Sequence, residues 1–355
     1  MKLFALGLLV IRVCFAASDK PAAVAGDAFS RDVRDCAKCH AKESAFQPMT
    51  SMAHAAETVA ECGILRTHPH LHLRLGRFDY TIERKGDQSI YTVSDGAGNL
   101  AVPIKYAFGL GDAGQTYIFE KDGQYFESFV SFYKAIDSLD ITIGDQALRP
   151  SSLTDAAGRH IGSQEIALCF SCHTTNAIYN GSLVEEKLIP GVQCERCHGP
   201  SENHLVGLKK GDAQLFAMKK LTAMTAEDSA QFCGGCHRTW QFVAEHGPHG
   251  TGNVRFQPYR LTNSKCFDVD DARISCMTCH NPHQQVDTVS ADYDAKCQAC
   301  HAAPGMAGKA GAKVCHVATK DCAGCHMPKI ELPGSHHTFT DHDIRIAAKN
   351  AAYPE

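Results

Sequence analysis

Fourteen of the eighteen cysteines fall into one pattern: two cysteines separated by two residues and followed at once by histidine. The copies are CAKCH (Cys36, Cys39, His40), CFSCH (Cys169, Cys172, His173), CERCH (Cys194, Cys197, His198), CGGCH (Cys233, Cys236, His237), CMTCH (Cys276, Cys279, His280), CQACH (Cys297, Cys300, His301) and CAGCH (Cys322, Cys325, His326). At these residue frequencies chance would supply about 0.05 copies in such a chain. Two thiols three residues apart lie on one side of a helical turn, where both can form thioethers with the vinyl groups at one porphyrin edge. The adjacent histidine then reaches the iron. The pattern is the attachment site of a c-type haem, so the sequence predicts seven covalently bound c-type haems. Zinc held by CxxC pairs would not require histidine after every second cysteine. A disulfide framework would not repeat one spacing, and a thioredoxin-like redox pair needs a βαβ setting that is absent.

Each iron has a second axial position. Seven of the twenty histidines are used by the motifs; thirteen remain, against seven needed for bis-histidine ligation throughout. Such irons are low-spin and suited to electron transfer. His204 in CERCHGPSENH and His283 in CMTCHNPH are too near their own motifs to fold over the same haem, so each is assigned to a neighbour. His54, in FQPMTSMAHA, is expected on a helix after the first motif. His336 and His342 flank FTD after the last motif, with His337 as the alternative to His336. His160, His249 and His316 are further candidates, whereas His68, His70 and His72 read as one face of a strand.

The elements that position these groups are unevenly spread. From Cys169 to Cys322 the motifs start 25, 39, 43, 21 and 25 residues apart, room for a short helix and a loop but not for separate domains. Neighbouring haems must therefore sit close together. Before them lies an interval of 133 residues between Cys36 and Cys169. There, over roughly 71–143, the pattern turns to alternation. FDYTIER (78–84), SIYTVSD (89–95), AVPIKYAF (101–108), QTYIFEK (115–121) and QYFESFV (124–130) read as strands joined by the turns KGDQ, DGAG and KDGQ. The expectation is a small antiparallel β-meander inserted after the first haem, as a structural or docking module. Elsewhere helix and loop are expected: Thr225, with Asp228 three residues on, caps a helix into Cys233, and His204 to Leu221 is another helix.

Aromatic residues make up 8% of the 355 residues, with one tryptophan, so porphyrins are expected to serve as core and the polypeptide as their wrapper. The net charge of −4 excludes a strongly basic nucleic-acid footprint. Lys2, the short apolar run from Leu3 to Val13 and small residues at Ala16 and Ala17 read as an export signal, leaving no transmembrane segment after its removal. The domains expected are a signal peptide (1–17), a first haem segment (18–62), a β-rich insert (63–159), a six-haem domain (160–346) and a tail (347–355). Of the remaining cysteines, Cys14 leaves with the signal. Cys266 pairs with Cys315, leaving Cys62 free, or all three are buried thiols. Asp270, Asp271, Asp341 and Asp343 read as solvated or orienting carboxylates.

CERCHGPSENH, SCMTCHNPH and CAGCHMPK followed by HHTFTDHDIRI resemble the multihaem cytochromes c that include the tetrahaem electron shuttles of ammonia oxidisers, a group similar also to hydroxylamine oxidoreductase and the pentahaem nitrite reductases. The resemblance covers residues 33–56 and about 160–346, and leaves the β-rich insert outside. It implies an exported carrier with paired haems and bis-histidine irons supplied partly across neighbouring motifs. The reductases have one CxxCK motif; every motif here ends in histidine. None of the ten tyrosines is assignable to the haem crosslink of hydroxylamine oxidoreductase. The expected architecture is mainly α and irregular, wrapped around a haem chain, with the inserted β-meander. The expected function is electron transfer in the periplasm or outside the cell, between redox partner proteins or through self-assembly into a longer haem chain. The alternative is a reductase or oxidoreductase of nitrite or hydroxylamine with one five-coordinate haem.

Overall fold

The computed structural model describes residues 34–214, 220–247, 249–301 and 317–346, with 29, 218 and 315 as single positions. The signal peptide, the tail from 347 and His316 lie outside the described residues. The strands of the β-rich region are β1 (Ala56–Thr58), β2 (His70–Leu75), β3 (Phe78–Lys85), β4 (Gln88–Ser94), β5 (Asn99–Phe108), β6 (Thr116–Lys121), β7 (Gln124–Ser128), β8 (Val130–Tyr133), β9 (Ser138–Ile141) and β10 (Gly158–Ile161). The five alternating segments all form strands, at β3 to β7. Three of the joining turns place glycine at positive φ, at Gly86, Gly96 and Gly123, as tight hairpins demand.

The sheet runs β10-β7-β6-β5-β4-β3-β2, antiparallel throughout, and β1 pairs with the end of β5. It is larger than the expected meander and reaches past 63–159 on both sides. The additional strands are short or fully buried: β8 shows no exposed position at all, so it carries no alternation to read. A hairpin of β8 and β9 packs against β6 and β2. Phe78, Tyr80 and Ile82 on β3, and Tyr91 and Val93 on β4, point to one face at period two. They meet Tyr117, Phe119, Phe129, Phe132 and Leu65 in a core of ordinary protein kind. The aromatic side chains are thus concentrated here, and this part of the chain does not need porphyrin to fill it.

The opposite face of the sheet buries Tyr106, Phe108 and Ile118 with Ile161, Ile166 and Phe170. Ile166 and Phe170 lie one helical turn apart on Ser163–His173, which carries CFSCH. The remainder of the chain is short helices and loops. The motifs lie on or at the ends of the helices Arg34–Ala37, Ser163–His173, Cys194–His198, Ala226–His237, Cys276–Cys279, Asp294–His301 and Cys322–His326. Thr225 caps Ala226–His237 by accepting the Asp228 N–H at 3.0 Å. Two expectations are corrected. The helix carrying His204 spans Glu202–Lys210 and ends there because Gly211, at φ +68°, turns the chain left-handed. His54 is not helical: after Ala41–Phe46 and a single 3₁₀ turn, it lies in the turn before β1. Among the described residues no helix is long and apolar enough to cross a membrane.

Candidate functional site

The second motif is fixed by the sheet. Phe170, inside CFSCH, is fully buried, and its ring meets Tyr106 and Phe108 edge-on at 5.0 and 5.1 Å. Phe108 also stacks on His173 at 4.7 Å, with the planes 7° apart. The His173 Nδ1 lies 2.8 Å from the Ala55 carbonyl, next to β1. A carbonyl only accepts, so Nδ1 carries the proton and Nε2 is the nitrogen presented to a metal. The sheet is therefore the bed on which this motif lies.

The first motif is brought to the third by a backbone docking. The Gln47 Nε2 donates to the Val192 carbonyl at 2.7 Å, the Val192 N–H to the Met52 carbonyl at 2.8 Å, and the Gln193 Nε2 to the Ala53 carbonyl at 3.1 Å. The approach requires glycine between them. Gly191 has φ +68°, and a β-carbon there would stand 2.6 Å from the Ala53 carbonyl carbon and closer still to its oxygen. The thiols of Cys36 and Cys194 consequently meet. Buried Glu195 accepts the Ser201 N–H at 2.7 Å, setting the start of the helix that carries His204.

Among the described residues, three pairs of imidazoles come together across motifs. His40 and His204 have ring centroids 6.3 Å apart, His198 and His283 6.0 Å, and His280 and His342 6.1 Å. A metal–nitrogen bond of about 2.0 Å, with the ring centre about 1.1 Å behind the nitrogen, puts two imidazoles on opposite sides of one metal about 6.2 Å apart. The spacing fits a bis-histidine iron at each pair. In each case the second histidine follows a different motif in the chain: the third, the fifth and the seventh. Burial lowers the pKa of His280 and His283, and pushes His342 down to about 4. A buried imidazole is thereby kept neutral, the form that binds metal. The His342 Nδ1 donates to the Thr340 carbonyl at 3.0 Å, and the His326 Nδ1 to the Arg345 carbonyl at 2.6 Å, so both present Nε2.

The other candidates are placed differently. His54 holds the Glu57 carboxylate with Nδ1 at 2.9 Å. His336, at φ +50°, bonds Asp140 on β9 through Nε2 at 2.7 Å and lies edge-on to Tyr133. Its neighbour His337 packs against Phe339. His54 and His336 are thus each engaged with a carboxylate. His160 packs on Phe126 at the sheet edge. His68 uses both nitrogens, on the Ile64 carbonyl and Asp137, and His70 and His72 face carboxylates across the strand pair.

The motifs also touch one another. The Cys172 thiol meets Cys236 and donates to the Gly235 carbonyl at 3.5 Å. Cys233 meets Cys276, whose thiol lies 4.0 Å from the Ser229 carbonyl. Cys297 meets Cys322, and Asp294 accepts the N–H groups of Asp321 and Cys322 at 2.7 and 2.8 Å. Arg196, inside CERCH, donates to the Ser171 carbonyl at 2.6 Å and stands beside Cys236, so its charge sits where three motifs converge.

Arg260 and Tyr293 are positioning residues that carry no sequence signal. Arg260 and Asp341 are both buried, at 1% and 0% exposure, and form a two-pronged ion pair with both contacts at 2.8 Å. Asp341 is thus the orienting kind of carboxylate and not a solvated one. Removing one partner of such a pair costs about 3–5 kcal/mol, because the other charge is left buried alone. Tyr293 places its hydroxyl 3.4 Å from the His280 Nδ1. Cys62 is buried against Gln115, while Cys266 and Cys315 are exposed and unbridged, which removes both the expected pairing and the three-buried-thiol alternative.

Residues 126–199 match the model of a family described as cytochrome c554 and c-prime. The match begins in β7 and ends in CERCHG, so it includes part of the β-rich region that the sequence resemblance left out. The chain is 27% identical over 163 residues to the multiheme cytochrome MtrA of Shewanella baltica (strain OS185), covering 45% of this chain and 40% of that protein. The alignment thus spans less than half the length of the curated relative. The crystal structure of the outer cell wall cytochrome OcwA overlaps 59% of this chain and 37% of its own at 16% identity and a TM-score of 0.33, a likeness too slight to fix the fold.

Proposed function

We propose that this multihaem cytochrome c is an exported seven-haem electron relay, passing electrons between redox partner proteins or onward through copies of itself. The observation that carries it is the set of three imidazole pairs, each joining a motif histidine to a histidine that follows another motif, spaced at 6.0 to 6.3 Å. Bound haem supplies an iron that changes by one electron between ferric and ferrous. The chain's own residues do the rest. The fourteen motif cysteines hold the groups covalently, His40, His173, His198, His237, His280, His301 and His326 supply the proximal nitrogen, and His204, His283 and His342 the distal one. These distal histidines also close their three irons to small substrates, which favours relay over chemistry on nitrite or hydroxylamine there.

The contacts between motifs support an order in space that differs from the order in sequence. The first motif touches the third, and the third, through His198 and His283, is tied to the segment after the fifth. The fourth joins both the second and the fifth, and the sixth joins the seventh. The His280–His342 pair ties the fifth to the seventh, so the relay would run from the first through the third, fifth and seventh to the sixth, with the fourth and then the second branching off at the fifth.

Purified mature protein from cells competent in cytochrome maturation tests this reading. A pyridine haemochrome assay should return about seven c-type haems per chain. Electron paramagnetic resonance should show low-spin iron, and His342→Ala should convert one iron to high spin. A high-spin component in the wild type that shifts with nitrite would overturn the relay in favour of an enzyme.

A further inference from the structure

His342 lies on a segment with little of its own to hold it. The strand pair before it, Lys329–Glu331 with Thr338–Thr340, covers three residues a side, and no helix follows among the described residues. What fixes it is a polar dock on another element. Arg260, on the helix Gln257–Leu261, grips the Asp341 carboxylate through Nε and Nη2, and Asp341 in turn accepts the Asp343 N–H at 3.0 Å. Beyond the helix, the Ser264 hydroxyl donates to the His342 carbonyl at 2.7 Å and accepts the Ile344 N–H at 2.8 Å. The Lys265 N–H donates to the Ile344 carbonyl at 3.2 Å. The residues on both sides of His342 are thus bound to one short stretch, 260–265. The same helix packs on Ala226–His237, the helix that carries the fourth motif.

Resting on the ligand assignment above, we propose that Arg260, Asp341 and Ser264 are positioning residues for the sixth ligand of the fifth-motif iron. The helix Gln257–Leu261 then acts as one brace shared by the fourth and fifth motifs. Burial explains why the device is ionic: the segment 341–344 brings few apolar side chains, so a desolvated two-pronged pair supplies the directional constraint that packing does not. The shared helix means that a disturbance at one of these two irons reaches the other through rigid backbone instead of through solvent.

The test uses holoprotein and reads spin state, which loss of general stability alone would not change at one iron. Arg260→Met and Asp341→Asn should keep all thioether-bound haem by haemochrome assay yet turn one iron high-spin, and added imidazole should restore low spin. Ser264→Ala, a smaller change that keeps the buried ion pair, should show a partial high-spin fraction at the same iron. It is the deciding variant should either ion-pair variant fail to mature. His342→Ala separates the two levels of inference. If it leaves every iron low-spin, the ligand assignment is wrong. If it yields a high-spin iron while Ser264→Ala, and any ion-pair variant that matures, remain low-spin, the assignment stands and the brace is refuted.

Discussion

Replacing Gly191 with alanine should undock the first motif from the third. At φ +68° an L-residue costs roughly 1–2 kcal/mol of backbone strain. A β-carbon would also collide with the Ala53 carbonyl, which is backbone and cannot swing aside. Relieving that collision means separating the two segments, with loss of the bonds joining Gln47 to Val192, Val192 to Met52 and Gln193 to Ala53, each of net worth about 1 kcal/mol. The total is about 4–5 kcal/mol. Gly211→Ala is the control: its φ is also +68°, but nothing stands within 4 Å of the added carbon, so it should show the strain alone. Urea unfolding followed by far-ultraviolet circular dichroism would measure both variants, and electron paramagnetic resonance would read the His40–His204 pair. Should Gly191→Ala cost no more than Gly211→Ala and leave every iron low-spin, the docking has no part in assembling these motifs.

Three further outcomes follow from particular contacts. In native holoprotein, a thiol reagent should label Cys315 quickly, since its exposed thiol is held below the ordinary value by the Ala318 and Val317 N–H groups, and Cys62 only after denaturation, since burial pushes its thiol up to about 11; rapid labelling of Cys62 would contradict its place in the sheet core. Arg196→Gln removes a positive charge from the meeting point of three motifs. A positive charge favours the reduced state, so potentiometric titration should show at least one haem shifted to lower potential, and an unchanged titration curve would count against the contact. Finally, Glu185, although partly desolvated, is held below the ordinary carboxylate range by Lys105 and Tyr125. A depressed folded-state pKa gives stability that is present above the ordinary value of about 4.3 and lost as pH falls through the folded value. The urea midpoint of Glu185→Gln should therefore fall less than that of the wild type between about pH 6 and pH 3; equal falls would remove Glu185 from the acid response.

How much was legible varied with the range of the interaction. The strands from β3 to β7 were readable because alternation and turn glycines are properties of neighbours in the chain, and Thr225 for the same reason. The strands β8 and β10 were not: a strand buried on every side shows no alternation, and β10 exists as a strand through its partner β7. His54 is expected on a helix, yet Pro48 stands six residues before it and the chain there is committed to meeting β5 and Gly191.

The seven CxxCH copies and the histidine beside each are written in the sequence by itself, since five consecutive residues on a helical turn contain the whole constellation. Which later histidine meets which motif histidine, that Arg260 and Asp341 close on each other, and that a β-sheet carries the second motif were decided by tertiary structure alone. The partners in these contacts lie far apart along the chain, 81 residues for Arg260 and Asp341. Nothing in a local pattern distinguishes a side chain that will be desolvated against such a partner from one that will face water.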